Sequence, residues 1–291
     1  MQRVDVTILQ VDRSRSSHEC LTGDLAAKDS LAVLVGAAAS EDVDFDRLHV
    51  EQGDEVVEWL LRARHPSMLA EECSLAFVTL VMLEANLRTI ALATKGFMPP
   101  DEGDALHAAA LAACSNAPGL PMVEVGSYCG RSTVWLGAAA RACGVLLYAV
   151  DHHGGSEENQ SGWEWHDTEV VNAEGRIDTL PFFRATIQRA GLTEVVRERV
   201  GDSHQIGREW KEPLSMCFID GGHGREVARG DYSAWASHVA PHGFLVIHDV
   251  FEQPHEGGQA PYEEIYLPAV TSKRFFEVSR RGSLRVLQRV A

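Results

Sequence analysis

The segment that most constrains this chain is Met122-Val-Glu-Val-Gly-Ser-Tyr-Cys-Gly-Arg-Ser-Thr-Val-Trp-Leu136. A short apolar run breaks into a Gly-rich turn, and apolar residues at helical spacing follow. The run is too short for a helix and suits a buried strand, so the segment predicts a strand, a sharp turn and a helix. That unit starts alternating α/β domains with parallel sheets. Glu124, Gly126 and Gly130 form E-x-G-x-x-x-G. A side chain at either glycine would hinder the turn or the close approach of the backbone. The helix behind the turn aims its free N–H groups and positive dipole end at whatever sits there. The unit reads as a nucleotide-type cofactor site, although Gly-rich turns also punctuate proteins that bind nothing.

The acidic residues downstream decide between these readings. Val145–Val150 has a buried-strand pattern and ends at Asp151; Val195–Val200 runs into Gly201-Asp202-Ser203. Leu214–Ile219 ends in Asp220-Gly-Gly-His223, and Gly243–Ile247 ends in His248-Asp249. One aspartate after a strand is often a helix cap. Several in succession behind a Gly-turn point instead to the edge of an open parallel sheet, where ligands bind outside the carboxyl ends of the strands. Asp151 lies at the distance from the turn expected of a carboxylate that accepts bonds from both ribose hydroxyls. Phe275–Val278 and Leu284–Leu287, joined around Arg281-Gly282-Ser283, predict a closing hairpin. The expected fold is α/β: a Rossmann-like, doubly wound, mostly parallel sheet with a C-terminal antiparallel hairpin and an N-terminal helical extension.

From about Asn116 to Ala291 the chain resembles the class I S-adenosylmethionine-dependent methyltransferases. The resemblance implies S-adenosylmethionine as cofactor, held by Glu124, Gly126, Ser127, Gly130, Ser132, Asp151, Asp202 and Ser203. Ile219-Asp-Gly-Gly-His223, Asp231-Tyr-Ser-Ala-Trp235, Pro241-His-Gly243 and Ile247-His-Asp249 narrow it to the metal-dependent sugar O-methyltransferases of antibiotic and polysaccharide biosynthesis. That likeness implies a divalent cation at Asp220, His248 and Asp249, with His223 as general base. The pattern departs at His248, where the relatives carry Glu or Asp, and this puts the third ligand in question.

The chemistry can be argued without the likeness. Methyl transfer from a sulfonium is an in-line displacement, so donor and acceptor must chiefly be positioned. A hydroxyl acceptor needs its oxygen polarised by a metal or its proton taken by a group such as imidazole. Oxygen ligands suit Mg²⁺, and a histidine ligand shifts the preference toward Mn²⁺ or another transition metal. Each residue also has a plainer reading: His223 as a solvated turn residue, Asp249 as a cap, His248 as a neutral core histidine.

His152 to Gly175 shows no clear periodicity, and loops this long in compact domains are usually functional. Trp163 and Trp165 could stack on a sugar face, and His166 with Glu157, Glu158, Asn159, Gln160 and Asp167 could bond hydroxyls. The alternative is a lid anchored by its tryptophans.

The remaining observations set bounds. The net charge of -16 argues against a backbone-reading nucleic-acid protein and against an anionic membrane surface. Hydrophobic residues make up 45% of the 291, enough for a substantial core. The six cysteines show no C-x-x-C spacing and the start has no signal-like apolar region, so a reducing, cytoplasmic setting is expected. The chain divides near residue 100. Residues 1–100 form a helical region, loosely ordered over the first thirty or so, with helical spacing over 44–64 and 67–94. Met98–Gly103 reads as a linker, and 101–291 as the cofactor domain, its first helix over about 104–114. The helical region either covers the site or builds a homo-oligomer; the acceptor is expected to be a small molecule or oligosaccharide. Three rivals stay open: a metal-independent small-molecule methyltransferase, a non-catalytic cofactor-binding module and a nicotinamide-dependent oxidoreductase.

Overall fold

The computed structural model describes residues 83–163 and 166–291, together with a short antiparallel pair formed by Ile8–Leu9 and Cys20–Leu21. The expected helix over 44–64, most of the polar start, and Trp165 lie outside the described residues. The chain forms two compact units, Met1–Val81 and Met82–Ala291. The division falls before residue 100, because helix α1 (Ala85–Ala93) buries Leu87, Ile90 and Ala91 within the second unit.

The second unit is built on a seven-stranded sheet. Its strands are β1 (Met122–Val125), β2 (Leu147–Asp151), β3 (Val196–Val200), β4 (Leu214–Ile219), β5 (Val239–Ile247), β6 (Phe275–Arg281) and β7 (Leu284–Arg289). They lie in the order β3-β2-β1-β4-β5-β7-β6. The first five are parallel, and β7 adds antiparallel to β5 and to β6. This is the Rossmann-like sheet with a closing hairpin that the strand order of the sequence implies. Every residue of β1 and β4 is buried, as expected of central strands covered on both faces. β3, at the edge, buries only Val196. The strand order reverses between β1 and β4, so the carboxyl ends of these strands open the crevice where ligands bind in such sheets.

Helices α2 (Pro100–Asn116), α3 (Arg131–Cys143), α4 (Leu180–Arg189), α5 (Ser203–Glu209) and α6 (Arg225–Trp235) pack around the sheet. The expected linker over 98–103 is a correction. Pro100 opens α2 at its first turn, where a missing N–H costs nothing, so Glu102 and Gly103 are helical. Gly103 lets α2 press onto α3, since a Cβ there would come within 2.5 Å of the Trp135 ring. Trp135 and Trp235 are fully buried and anchor the packing of α3 and α6. The long loop after β2 is tied by two 3₁₀ turns, Glu157–Asn159 and Thr168–Val170, and by a bridge between Val171 and Ile177. Among the described residues, Cys114, Cys129, Cys143 and Cys217 are free thiols, and no helix is long and apolar enough to cross a membrane.

Candidate active site

The turn after β1 is held by backbone geometry. Gly126 has φ 86°, and a Cβ on it would lie 2.2 Å from the carbonyl oxygen of Asp220. The glycine is therefore required by the end of β4 crossing beneath it; the close approach comes from protein backbone. Gly130, at φ 91°, caps α3. Ser127 and Tyr128 donate their N–H groups to Asp151 Oδ2 at 2.9 and 2.8 Å, and His153 N–H donates to Oδ1 at 2.7 Å. Asp151 is thus pinned against the turn, with both lone pairs of Oδ2 taken and one to spare on Oδ1.

Glu124 sits behind the turn. It is fully buried, and its carboxylate accepts from Ser132 Oγ and Thr133 Oγ1, each at 2.6 Å. Burial pushes its pKa up to about 8, against the pull of those two hydroxyls. The pair expected to touch the cofactor, Glu124 and Ser132, spends its polar atoms on joining β1 to the first turn of α3. At the next strand end, Asp202 caps α5 by accepting from Gln205 N–H at 2.8 Å. Ser203 Oγ donates to the buried Asp231.

The ends of β4 and β5 bring Asp220, His223 and Asp249 together. One ligand atom from each lies within 4.8 Å of the others, and all three are half-buried. Asp249 adopts φ 53°, a left-handed conformation that Asp tolerates better than most residues. His223 Nε2 lies 2.9 Å from Asp249 Oδ2, and Nδ1 lies 2.9 Å from Glu158 Oε2 in the loop after β2. Burial alone would lower the histidine's pKa, but the two carboxylates outweigh it and push it up to about 10. Asp249 is held well below the usual carboxylate range: burial opposes this, and the bonds from His223 and His248 prevail.

His248 is not an open ligand. It is almost wholly buried, with Nδ1 2.9 Å from Asp220 Oδ1 and 3.3 Å from Asp249 Oδ2. Its Nε2 lies 2.8 Å from Glu102 Oε2. Both nitrogens face carboxylates, as do both nitrogens of His223, and among the described residues the group whose ligand atoms lie within 4.8 Å of one another is Asp220, His223 and Asp249, without His248. Glu102 is the residue that sequence reasoning missed. It lies in the stretch read as a linker, and nothing local marks it, because its partners are remote in sequence.

In the loop after β2, Trp163 is 54% exposed and therefore does not anchor a lid. His166 Nδ1 bonds to the carbonyl oxygen of Asn159 at 2.8 Å, and Asp167 pairs with Lys95 at 2.6 Å, tying the loop to the segment after α1. Among the loop's described residues, Glu158 reaches the acidic cluster through its contact with His223 Nδ1.

Residues 123–250 match a family described as a methyltransferase domain. Among solved structures, an O-methyltransferase from Bacillus cereus in complex with S-adenosylhomocysteine is 16% identical, with a TM-score of 0.50, over 72% of this chain and 93% of that one. The O-methyltransferase TomG of tomaymycin synthesis, from Streptomyces achromogenes, in complex with S-adenosylmethionine, is 15% identical, with a TM-score of 0.51, over 76% and 96%. The O-methyltransferase NovP is 14% identical, with a TM-score of 0.52, over 66% and 81%. At these identities the structural likeness speaks for the fold, and the family match for the domain.

Proposed function

We propose that this chain, which carries a methyltransferase domain of the S-adenosylmethionine-dependent kind, transfers the methyl group to a hydroxyl of a sugar-type acceptor with the help of a divalent cation. The observation that carries the reading is the convergence of Asp220, His223 and Asp249 within 4.8 Å, at the sheet edge that also holds the Gly126 turn and Asp151. The comparison proteins named as O-methyltransferases share the fold and support acceptor oxygen chemistry.

The residues fit the donor. Asp151 is fixed beside the turn with an acceptor site left on Oδ1 for a ribose hydroxyl, and the turn before α3 offers a helix N-terminus to a carboxylate. They also fit a cation: the carboxylates of Asp220 and Asp249 form a hard donor pair, with the His223 ring beside them. A bound cation would supply Lewis acidity that lowers the pKa of an acceptor hydroxyl. Asp220 and Asp249 would hold it. His223 sits where the hydroxyl proton has to go. Nε2 must first give up its own proton, to Asp249 or to solvent, because a ring donating to two carboxylates cannot accept a proton. Glu158 keeps the ring oriented through Nδ1 while Nε2 is released. Trp163 and His166, on the loop that carries Glu158, are the groups we assign to acceptor contact.

A second reading keeps the methyl transfer and drops the metal. It is favoured by the two histidines that already face these carboxylates, placing positive charge among them. Turnover of S-adenosylmethionine with a panel of free and nucleotide-linked sugars, with and without chelator, separates the two. Loss of turnover on chelation and recovery with Mg²⁺ or Mn²⁺ supports the metal reading. Chelator-resistant turnover sinks it.

A further inference from the structure

We propose that Glu102, at the start of α2, is a positioning residue of this site, acting through His248 on the two aspartates. The inference rests on the reading of Asp220 and Asp249 as the pair that holds a cation and faces the acceptor. Glu102 is 6% exposed and stands apart from them in sequence, yet one side chain joins them. Its Oε2 accepts from His248 Nε2 at 2.8 Å, and the far nitrogen of the same ring reaches Asp220 at 2.9 Å and Asp249 at 3.3 Å.

Glu102 is itself fixed from a third element. In the turn between β6 and β7, Ser283 donates its N–H to Glu102 Oε1 at 2.9 Å and its hydroxyl to Oε2 at 3.0 Å. Gly282 allows this approach, since a Cβ there would fall 2.0 Å from Oε1. The hairpin that closes the sheet therefore grips the helix carboxylate, and the carboxylate grips the imidazole. The imidazole in turn takes one oxygen from each aspartate. An unbraced histidine could turn about its side-chain torsions and let both carboxylates change rotamer. With Nε2 anchored, the ring has one orientation, and Asp220 and Asp249 each keep one oxygen on it. The other oxygen of each is the one we assign to the cation. Supporting groups of this kind commonly change metal affinity or activity by roughly 10- to 100-fold when removed.

The test uses the full chain with Glu102→Ala and Glu102→Gln. Mn²⁺ binding is followed by electron paramagnetic resonance, S-adenosylmethionine binding by calorimetry, and the ring of His248 by ¹⁵N NMR. In Glu102→Ala we expect Mn²⁺ affinity to fall about 10-fold and the His248 ring resonances to move, with the S-adenosylmethionine Kd within about 2-fold of wild type. Glu102→Gln keeps one acceptor oxygen and should lose less. Unchanged Mn²⁺ affinity with unmoved ring resonances in Glu102→Ala would overturn the proposal. So would a proportional loss of S-adenosylmethionine binding in both variants, the mark of a general packing defect. If wild-type protein binds no Mn²⁺, the metal reading fails separately. The ring resonances then decide on Glu102: movement in Glu102→Ala supports it, and its absence overturns it.

Discussion

At the scale of single residues, one imidazole and one buried carboxylate lead to different measurements. His223 has both nitrogens on carboxylates and stands beside the proposed acceptor position. We expect His223→Ala to lower kcat by roughly 10²-fold or more, the usual contribution of a proton-transfer group, with the S-adenosylmethionine Kd unchanged. Steady-state turnover beside calorimetry checks this; a wild-type kcat would remove His223 from the chemistry. Glu124 bears on stability. Its folded pKa is raised to about 8 by burial, from an ordinary value of 4.5. Between those two values the folded state binds more protons than the unfolded state, so its contribution to stability is full below 4.5 and declines as pH rises toward 8. Urea midpoints measured across that window should fall with pH in wild type, and fall less steeply in Glu124→Gln. Parallel slopes would show that Glu124 is ionised in the folded protein.

At the scale of elements, the β1–turn–α3 unit is held by two glycines with different duties. Gly126 cannot accept a Cβ without displacing the backbone of Asp220, whereas a Cβ on Gly130 would meet only side chains of Phe183 and Thr186, at 3.3 Å. Gly130→Ala should cost about 1–3 kcal/mol, the strain of a left-handed residue. Gly126→Ala should cost more and also weaken S-adenosylmethionine binding, because the turn and the end of β4 must part. Thermal unfolding of the two variants decides the order; a milder Gly126→Ala would contradict the close-approach argument. The start of α2 teaches the opposite lesson. A Pro-Pro pair marks a break in a helix pattern, but it also suits a helix's first turn, and here that turn carries Glu102 into the core.

At the scale of the whole molecule, the site exists because parallel strands end on one edge. Asp151, Asp220 and Asp249 come from three strands, and the closing hairpin reaches the same cluster through Ser283 and Glu102. Asp249→Asn should therefore cut turnover and abolish its recovery by Mg²⁺ or Mn²⁺ after chelation, without loss of the folded domain by circular dichroism. Full metal rescue of this variant would count against Asp249 as a ligand. The compact unit Met82–Ala291 also makes a prediction about organisation. A chain beginning at Met82 should unfold in one transition and bind S-adenosylmethionine; failure to fold would show that the first unit is needed for the second.

Much of this was legible in the sequence, for a physical reason. Central parallel strands are buried on both faces, so they read as unbroken apolar runs, and their ends are marked by glycine or aspartate. The strands, the Gly126 turn and the gathering of Asp151, Asp202, Asp220 and Asp249 at strand ends follow from that local signal. What each polar group does once gathered depends on neighbours far away in the chain. Glu124 faces inward to Ser132 and Thr133, Asp202 caps α5, and His248 gives both nitrogens to carboxylates. Such choices turn on burial and on which donor lies within 3 Å or so, and no spacing along the chain encodes that distance. Glu102 is the clearest case. Its residue type and position were plain in the sequence, but only the packing of α2 against β5 and the β6–β7 turn brings it to His248.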